Sequence, residues 1–413
     1  IGAAASLLGA LLVSPWLLPV TVGLVGRPFA ALSRPLGELA VGNVRRSPRR
    51  AASTAGALMI GMALVAGCAV LAASVQSSMS AIVTTQARAD VMIQNAQDET
   101  LGIPPEAVTA ISRLPETGRV DTLFFSMATI AGDTIPVVGF SPGLISHSLA
   151  LPMASGPDDR LDAGEVIVAE GYADDHALAV GDAITAVGPV AAGTGTPVTL
   201  TVTAVMSRDS FIGAPVVLSQ ADFETLVPPG ARVTDMLMLT ASPGTDAGAL
   251  RAAAKDVVAP YYVLNVMDRD DMVGSLSAQV QQVLLLLYAL LAISIVIAVL
   301  GIVNTLALAV IERTREIGLL RAIGLGRMQL AGMILLESTH IALFGGAVGL
   351  GLGTLLSSML PAVLASRGFD RLAVPWEQLL WMLALSLLVG LVAAVWPAVR
   401  AARLPVLRSI ATD

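Results

Sequence analysis

The chain has 413 residues, 55% of them hydrophobic and only 13% charged, which excludes an ordinary soluble globule and points to a membrane protein. Its net charge of −7 hides a division: residues 76–275 carry 24 acidic and 9 basic side chains, and the remainder 7 acidic and 15 basic. An acidic, soluble block set into a basic, membrane-embedded frame argues against nucleic-acid binding.

In chain order, five segments are long and apolar enough to span a bilayer: roughly 3–25, 52–75, 281–311, 329–360 and 378–399. The chain opens at Ile1 inside the first of these runs, which reads as a processed or truncated piece of a longer polypeptide. Arginines mark three connections: Arg27, Arg34, Arg45, Arg46, Arg49 and Arg50; then Arg313, Arg315, Arg321 and Arg327; then Arg400, Arg403 and Arg408. Positive charge favours the cytoplasmic side, and five crossings place all three there. Residues 76–275 and the short 361–377 loop then lie outside.

The expected organisation is an extra span at 1–25, a cytoplasmic basic linker at 26–50, and a span with stalk at 51–88. An extracytoplasmic domain at 89–270 follows, then a stalk and span at 271–311 and a cytoplasmic segment at 312–328. A span at 329–360, an outer loop at 361–377, a span at 378–400 and a cytoplasmic tail at 401–413 complete the chain. The third apolar run is long: about 31 residues make a helix of roughly 46 Å, against a hydrocarbon core of roughly 30 Å. Together with the helix-compatible 74–89 stretch, it predicts two helices that rise out of the bilayer as a stalk. Cys68 lies in the second run and reads as a small apolar core residue. Glycines at 56, 61 and 67, and the GGAVGLGLG run at 345–353, predict close helix packing.

The outer block reads as mixed α/β. Strands are predicted at 89–94, 134–140, 165–170, 197–206 and 235–240, from β-branched content or alternation. Helices are predicted at 104–114, opened by proline, and at 246–258. The stretch 216–227 predicts a strand followed by a short helix, with Ser219 near its N-cap.

Few motifs carry chemistry. A P-loop needs Gly-Lys-Ser/Thr, and the only lysine, Lys255, lies between Ala254 and Asp256. GFSPG at 139–143 has the spacing of a nucleophile elbow on Ser141, with His147 nearby, but Pro142 lacks the N–H that an oxyanion needs. A turn leaving a strand is the better reading, and no catalytic residue is assigned. His147, His176 and His340 have no metal-ligand spacing, so no metal site is expected. The acidic clusters Asp158, Asp159, Asp162 and Glu165, and Asp268, Asp270 and Asp271, do not fit a calcium loop and read as solvated surface. Asn304, Glu337 and His340 are polar residues inside spans, with a functional contact weighed against interhelical hydrogen bonding.

The segment 312–327, ERTREIGLLRAIGLGR, is too charged to lie in lipid and too short to be a domain. Ile317, Leu320 and Ile323 recur at helical spacing, Glu312 and Arg315 can pair, and Gly324 and Gly326 break the helix before the next span. A membrane-surface helix placed to be gripped from the cytoplasm fits this pattern.

At these residues the chain resembles the FtsX-like, MacB-type permease family of ABC transporters. ERTREIGLLRAIGLGRMQL is similar to that family's signature. NVRRSPRRAASTAGALMIGMALV (43–65), LDAGEVIVAEGYADDHALAVGDAITA (161–186), ESTHIALFGGAVGLGLG (337–353) and VAAVWPAVRAARLPVLRSI (392–410) resemble its other pieces in the same order. The resemblance implies a polytopic α-helical membrane protein: a four-span permease core with an inserted α/β extracytoplasmic domain on a helical stalk. It implies a bacterial cell-membrane location, and a span at 1–25 that is the tail of a preceding half in a tandem fusion. It further implies a coupling helix built from Glu312, Arg313, Thr314, Arg315, Glu316, Ile317, Gly318, Leu320, Arg321 and Gly324. The implied partners are an ABC ATPase subunit that carries the ATP and Mg, a second permease half or dimer partner, and membrane lipids. The implied role is mechanical export or extraction of a lipid, lipoprotein or peptide. The alternative is a signalling scaffold that activates an extracytoplasmic cell-wall hydrolase or sensor.

Overall fold

The computed structural model describes residues 9, 12–18, 36–46, 48–95, 102–189, 197–359 and 371–403. In chain order the helices are α1 (Leu36–Arg46), α2 (Pro48–Gln86), α3 (Pro105–Ser112), α4 (Leu144–His147), α5 (Glu170–His176), α6 (Gln220–Leu226), α7 (Ala247–Val258), α8 (Arg269–Glu312), α9 (Thr314–Ala322), α10 (Arg327–Ser358) and α11 (Trp376–Ala402). The strands are β1 (Val91–Asn95), β2 (Thr117–Ile130), β3 (Asp133–Phe140), β4 (Met153–Ser155), β5 (Glu165–Ala169), β6 (Ala183–Val187), β7 (Val198–Met206), β8 (Val216–Ser219), β9 (Val233–Ala241) and β10 (Leu264–Met267). The chain divides into two compact units: Ile1–Ser74 with Val280–Pro361 and Leu372–Asp413, and Val75–Gln279 with Ala362–Arg371.

In the first unit, four helices among the described residues are long and apolar enough to cross a membrane: Ala51–Gln86, Gln281–Glu312, Arg327–Ser358 and Trp376–Ala402. They coincide with four of the five predicted spans. The fifth, at 3–25, lies largely outside the described residues, although 12–18 are helical. Helix α10 is packed on two sides by virtue of its glycines. A Cβ on Gly345 would meet the Ala55 carbonyl oxygen of α2 at 2.8 Å, and Cβ atoms on Gly349 and Gly353 would press still closer on Met59 and Ala63. Gly346 instead faces Ser386 of α11, and Gly390 of α11 faces Thr339 and Ala342. Small residues at i, i+4 and i+8 thus let two backbones approach on one face. Hydroxyls add to the contacts: Ser338 donates to the Gly390 carbonyl at 2.7 Å, Ser357 to that of Gly67 at 2.8 Å, and Thr54 to Thr305 Oγ1 at 3.1 Å.

Within the stretch read as a basic linker, α1 is a helix that packs on α10. Gly37, Ala40 and Val44 are buried among its described side chains, a helical spacing that the neighbouring arginines mask in the sequence.

In the second unit, ten strands run in the order β10-β1-β9-β2-β3-β8-β5-β7-β4, with β6 pairing both β2 and β7. The circuit β2-β3-β8-β5-β7-β6 therefore closes on itself, around Ile130, Val137, Val166, Val168, Leu200 and Val202. The other end, β10-β1-β9 with the first half of β2, stays open and is covered by α3 and α7 through Ile93, Ile111, Leu237, Leu239 and Leu250. The long strand β2 belongs to both. All six predicted strands and the three predicted helices occur here, with Ser219 capping α6 by accepting from the Asp222 N–H.

GFSPG has a structural explanation. A Cβ on Gly139 would sit 2.5 Å from Cγ of Phe223, a fully buried ring of α6. Ser141 Oγ accepts from the Thr122 N–H at 2.8 Å and lies 3.5 Å from Asp121, while His147 Nδ1 bonds the Gly143 carbonyl and Ser146 instead. The Arg119 guanidinium pairs with Asp121, and that hydrogen bond raises the arginine's pKa above its ordinary value. We expect Ser141→Ala to leave function intact and to cost no more than about 0.5–1.5 kcal/mol. Gly139→Ala should cost about 1–3 kcal/mol by overpacking against Phe223, read as a lower melting temperature. Loss of activity in Ser141→Ala would restore the nucleophile reading.

In the second acidic cluster Asp270 is exposed, as expected of solvated surface, while Asp268 and Asp271 are half-buried and take structural contacts. Asp268 caps α8 by accepting from the Asp271 N–H at 2.8 Å, and Arg251 of α7 bonds Asp268 at 2.8 Å and also Asp271. These contacts fix the start of α8. The end of α2 is fixed as well: the N–H groups of Arg88 and Ala89 both donate to the Ser148 carbonyl, and Ala150 N–H donates to that of Gln86. A Gln76–Ser277 hydrogen bond joins the two helices within this unit.

Candidate coupling site

Helix α8 ends at Glu312 because Arg313 leaves helical geometry, with φ −101° and ψ 17°. The nine-residue helix α9 follows and closes at Ile323. There Gly324 takes φ +110°, and the Leu325 N–H returns to the Leu320 carbonyl at 3.0 Å. Gly326 then donates to Gln329 Oε1 at 2.9 Å as α10 begins. The sequence ERTREIGLLRAIGLGR is thus a short helix bounded by a break and a left-handed glycine.

Its faces are unequal. Ile317 and Gly318 are buried against α8 and α10, and Leu320 is half-buried. Ile323, at helical spacing from Ile317 and Leu320, is nonetheless 80% exposed, and Leu319 is 53% exposed. Arg315 and Glu316 are exposed as well. Two exposed apolar side chains flanked by opposite charges make a surface suited to a protein groove. Glu312 and Arg315 lie on either side of the break at Arg313.

Behind α9 lies a cavity of about 320 Å³, lined by Asn43, Val310, Arg313, Ile317, Met333 and Glu337 among others. Glu337 is only 9% exposed. Its Oε1 lies 4.0 Å from Arg313 Nη1, and its Oε2 accepts from Asn43 Nδ2 at 3.5 Å. One carboxylate therefore links the hinge before α9 to α1 and to the span α10. Of the three polar residues predicted inside spans, Glu337 reaches Arg313 of the 312–327 segment. His340 is buried one turn further along, with Nδ1 2.6 Å from its own helix's Leu336 carbonyl. Asn304 is exposed on α8 and takes no part. Asn43 was missed by sequence reasoning; its signal was its place at i+3 from Ala40 on the amphipathic face of α1.

Among the described residues no group of three or more His, Cys, Asp or Glu could hold a metal ion.

The family model for the MacB-like periplasmic core domain matches residues 51–257, half of the chain. The one for the FtsX-like permease C-terminal matches 288–406, which contains α9 and Glu337. An uncharacterized ABC transporter permease of Methanocaldococcus jannaschii is 30% identical over 142 residues, 34% of this chain and 36% of that protein. The macrolide export ATP-binding/permease protein MacB of Bdellovibrio bacteriovorus is 34% identical over 140 residues, 34% of this chain and 21% of that one. The chain thus spans little more than a third of these relatives at most. The solved periplasmic region of MacB from Actinobacillus actinomycetemcomitans aligns at 10% identity with TM-score 0.33, over 46% of this chain and 93% of that one. With one family match on the outer domain and the other on the spans around α9, in the order the fold requires, the chain belongs to the MacB/FtsX-type family of ABC transporter permeases.

Proposed function

We propose that this chain converts ATP hydrolysis on a separate ABC ATPase subunit into movement of its outer domain, for the export or extraction of an amphipathic substrate such as a lipid, lipoprotein or peptide. The observation that carries this reading is α9, an exposed helix presenting Leu319 and Ile323 between charges and tied through Arg313 and Glu337 to the helices behind it. The chain contains no Gly-Lys-Ser/Thr sequence, so the nucleotide chemistry is assigned to the partner. Force received at α9 has a continuous helical route outward, because α8 runs unbroken from Arg269 to Glu312. A second permease half completes the assembly in this reading. The named activity of relatives, macrolide export, is one member of the proposed substrate class.

The test is co-purification with an ABC ATPase followed by measurement of ATP hydrolysis. Stimulation by added amphiphiles is expected. Stimulation only by an extracytoplasmic protein partner would replace transport with signalling, and the absence of any ATPase would remove both.

Topology gives an independent check. In a Cys68→Ala background, Asp162→Cys should react with a membrane-impermeant maleimide on intact cells, and Thr314→Cys only after permeabilisation. The reverse pattern would overturn the orientation.

A further inference from the structure

The outer domain holds its own cavity, of about 420 Å³, within the size range of small-molecule sites. Met79 of α2, Phe125 of β2, Met236 of β9, Met272 of α8 and Phe211 of the 207–215 loop supply much of its lining. Gly213, exposed at the same loop, stands at its edge. Three methionines and two phenylalanines offer a soft, adaptable apolar wall. Polar groups are few: Gln94, Asn95, Ser210 and Asp235. No lysine, arginine or histidine lines the cavity, and Asp235 is the one charged lining residue among those described. Among the described lining residues a negatively charged headgroup would meet a carboxylate and no cation, an environment that favours a neutral or cationic one.

The loop carrying Phe211 and Gly213 is fastened to α2 by a single buried side chain. Gln86, 6% exposed, donates through Nε2 to the Asp209 carbonyl at 2.6 Å and accepts through Oε1 from the Phe211 N–H at 2.6 Å. Both hydrogen bonds come from the last residue of α2, so a shift of that helix end is transmitted to the cavity wall.

We propose that this cavity seats the apolar portion of a neutral or cationic amphiphile, with the 207–215 loop as a wall that Gln86 couples to α2. The proposal narrows the substrate class of the transport reading and rests on it. Its test needs neither nucleotide nor ATPase, so a failure of coupling would leave it standing, and a failure here would leave coupling standing.

The full chain in lipid nanodiscs is irradiated with a diazirine-bearing hexadecyl trimethylammonium probe, or with the corresponding hexadecanoate, and adducts are mapped by mass spectrometry. The cationic probe should label peptides containing Phe211 and Met236 about tenfold more than the anionic one. Gly213→Trp, at a position where a Cβ meets nothing within 4 Å, should reduce those adducts about tenfold while adducts on the spans stay unchanged. Gln86→Ala should alter labelling of the loop but not of Met236. Adducts confined to the spans, or outer-domain adducts indifferent to Gly213→Trp, would overturn the site. Equal labelling by the two probes would overturn the charge assignment.

Discussion

Gly349→Leu is expected to prevent assembly of the helical unit. A Cβ at that position would press on the Met59 carbonyl oxygen and come within 2.9 Å of Met62 Cβ, and both belong to the neighbouring α2. A flexible side chain could turn aside, but a backbone oxygen moves only with its helix. Overpacking a well-filled core costs about 1–3 kcal/mol, and moving a whole span should exceed that range. Gly353→Leu faces the same obstacle at Ala63. The control lies on the same helix: Gly351 is exposed and a Cβ there meets nothing within 4 Å. Size-exclusion profiles of detergent-solubilised protein should show loss of the monodisperse peak for Gly349→Leu and its retention for Gly351→Leu. Equal behaviour would mean that the stripe 345/349/353 is not the contact with α2.

The second large effect concerns coupling. Arg315→Glu, or Glu316→Ala, should leave insertion and folding unchanged, since both residues are exposed. In reconstituted membranes with the ATPase, hydrolysis should persist while ATP-dependent change in the outer domain, read by limited proteolysis, falls at least about tenfold. Arg313→Ala should act in the same direction for a different reason. It removes the cation 4.0 Å from the Glu337 carboxylate, a residue that is 9% exposed. Leaving a largely buried charge without its partner costs about 3–5 kcal/mol in the fully buried case, and less at this longer, partly exposed contact. Arg313→Ala should therefore lower stability as well as coupling, which Arg315→Glu should not. Unchanged outer-domain response in Arg315→Glu would sink the assignment of α9.

Much of this was legible in the sequence because hydrophobic length and charge placement are local properties. The four spans, the break at Gly324 and the N-cap at Ser219 follow from residue types within a few positions of one another. What was not legible depends on partners far along the chain. Strand β2 escaped because it is buried on different faces along its length, pairing β9 at one end and β3 and β6 at the other. Helix α1 escaped because its arginines dominate a segment in which the buried positions described, Gly37, Ala40 and Val44, are small or short. The Glu337 cluster was half visible: an acid in a span signals a partner, but only the fold places Asn43, 294 residues away, beside it. Asp268 and Asp271 read as surface because their cation, Arg251, sits on another helix.

The central claim is that α9 is held by an ATPase in the cytoplasm. A photoreactive benzoylphenylalanine at Ile323, the most exposed apolar position of the segment, tests it directly. Irradiation of cells should give an adduct with the combined mass of this chain and an ABC ATPase, while the same residue at Leu355, exposed on α10, should give none. An Ile323 position that never reaches an ATPase, in cells where the chain is inserted and folded, would contradict the account.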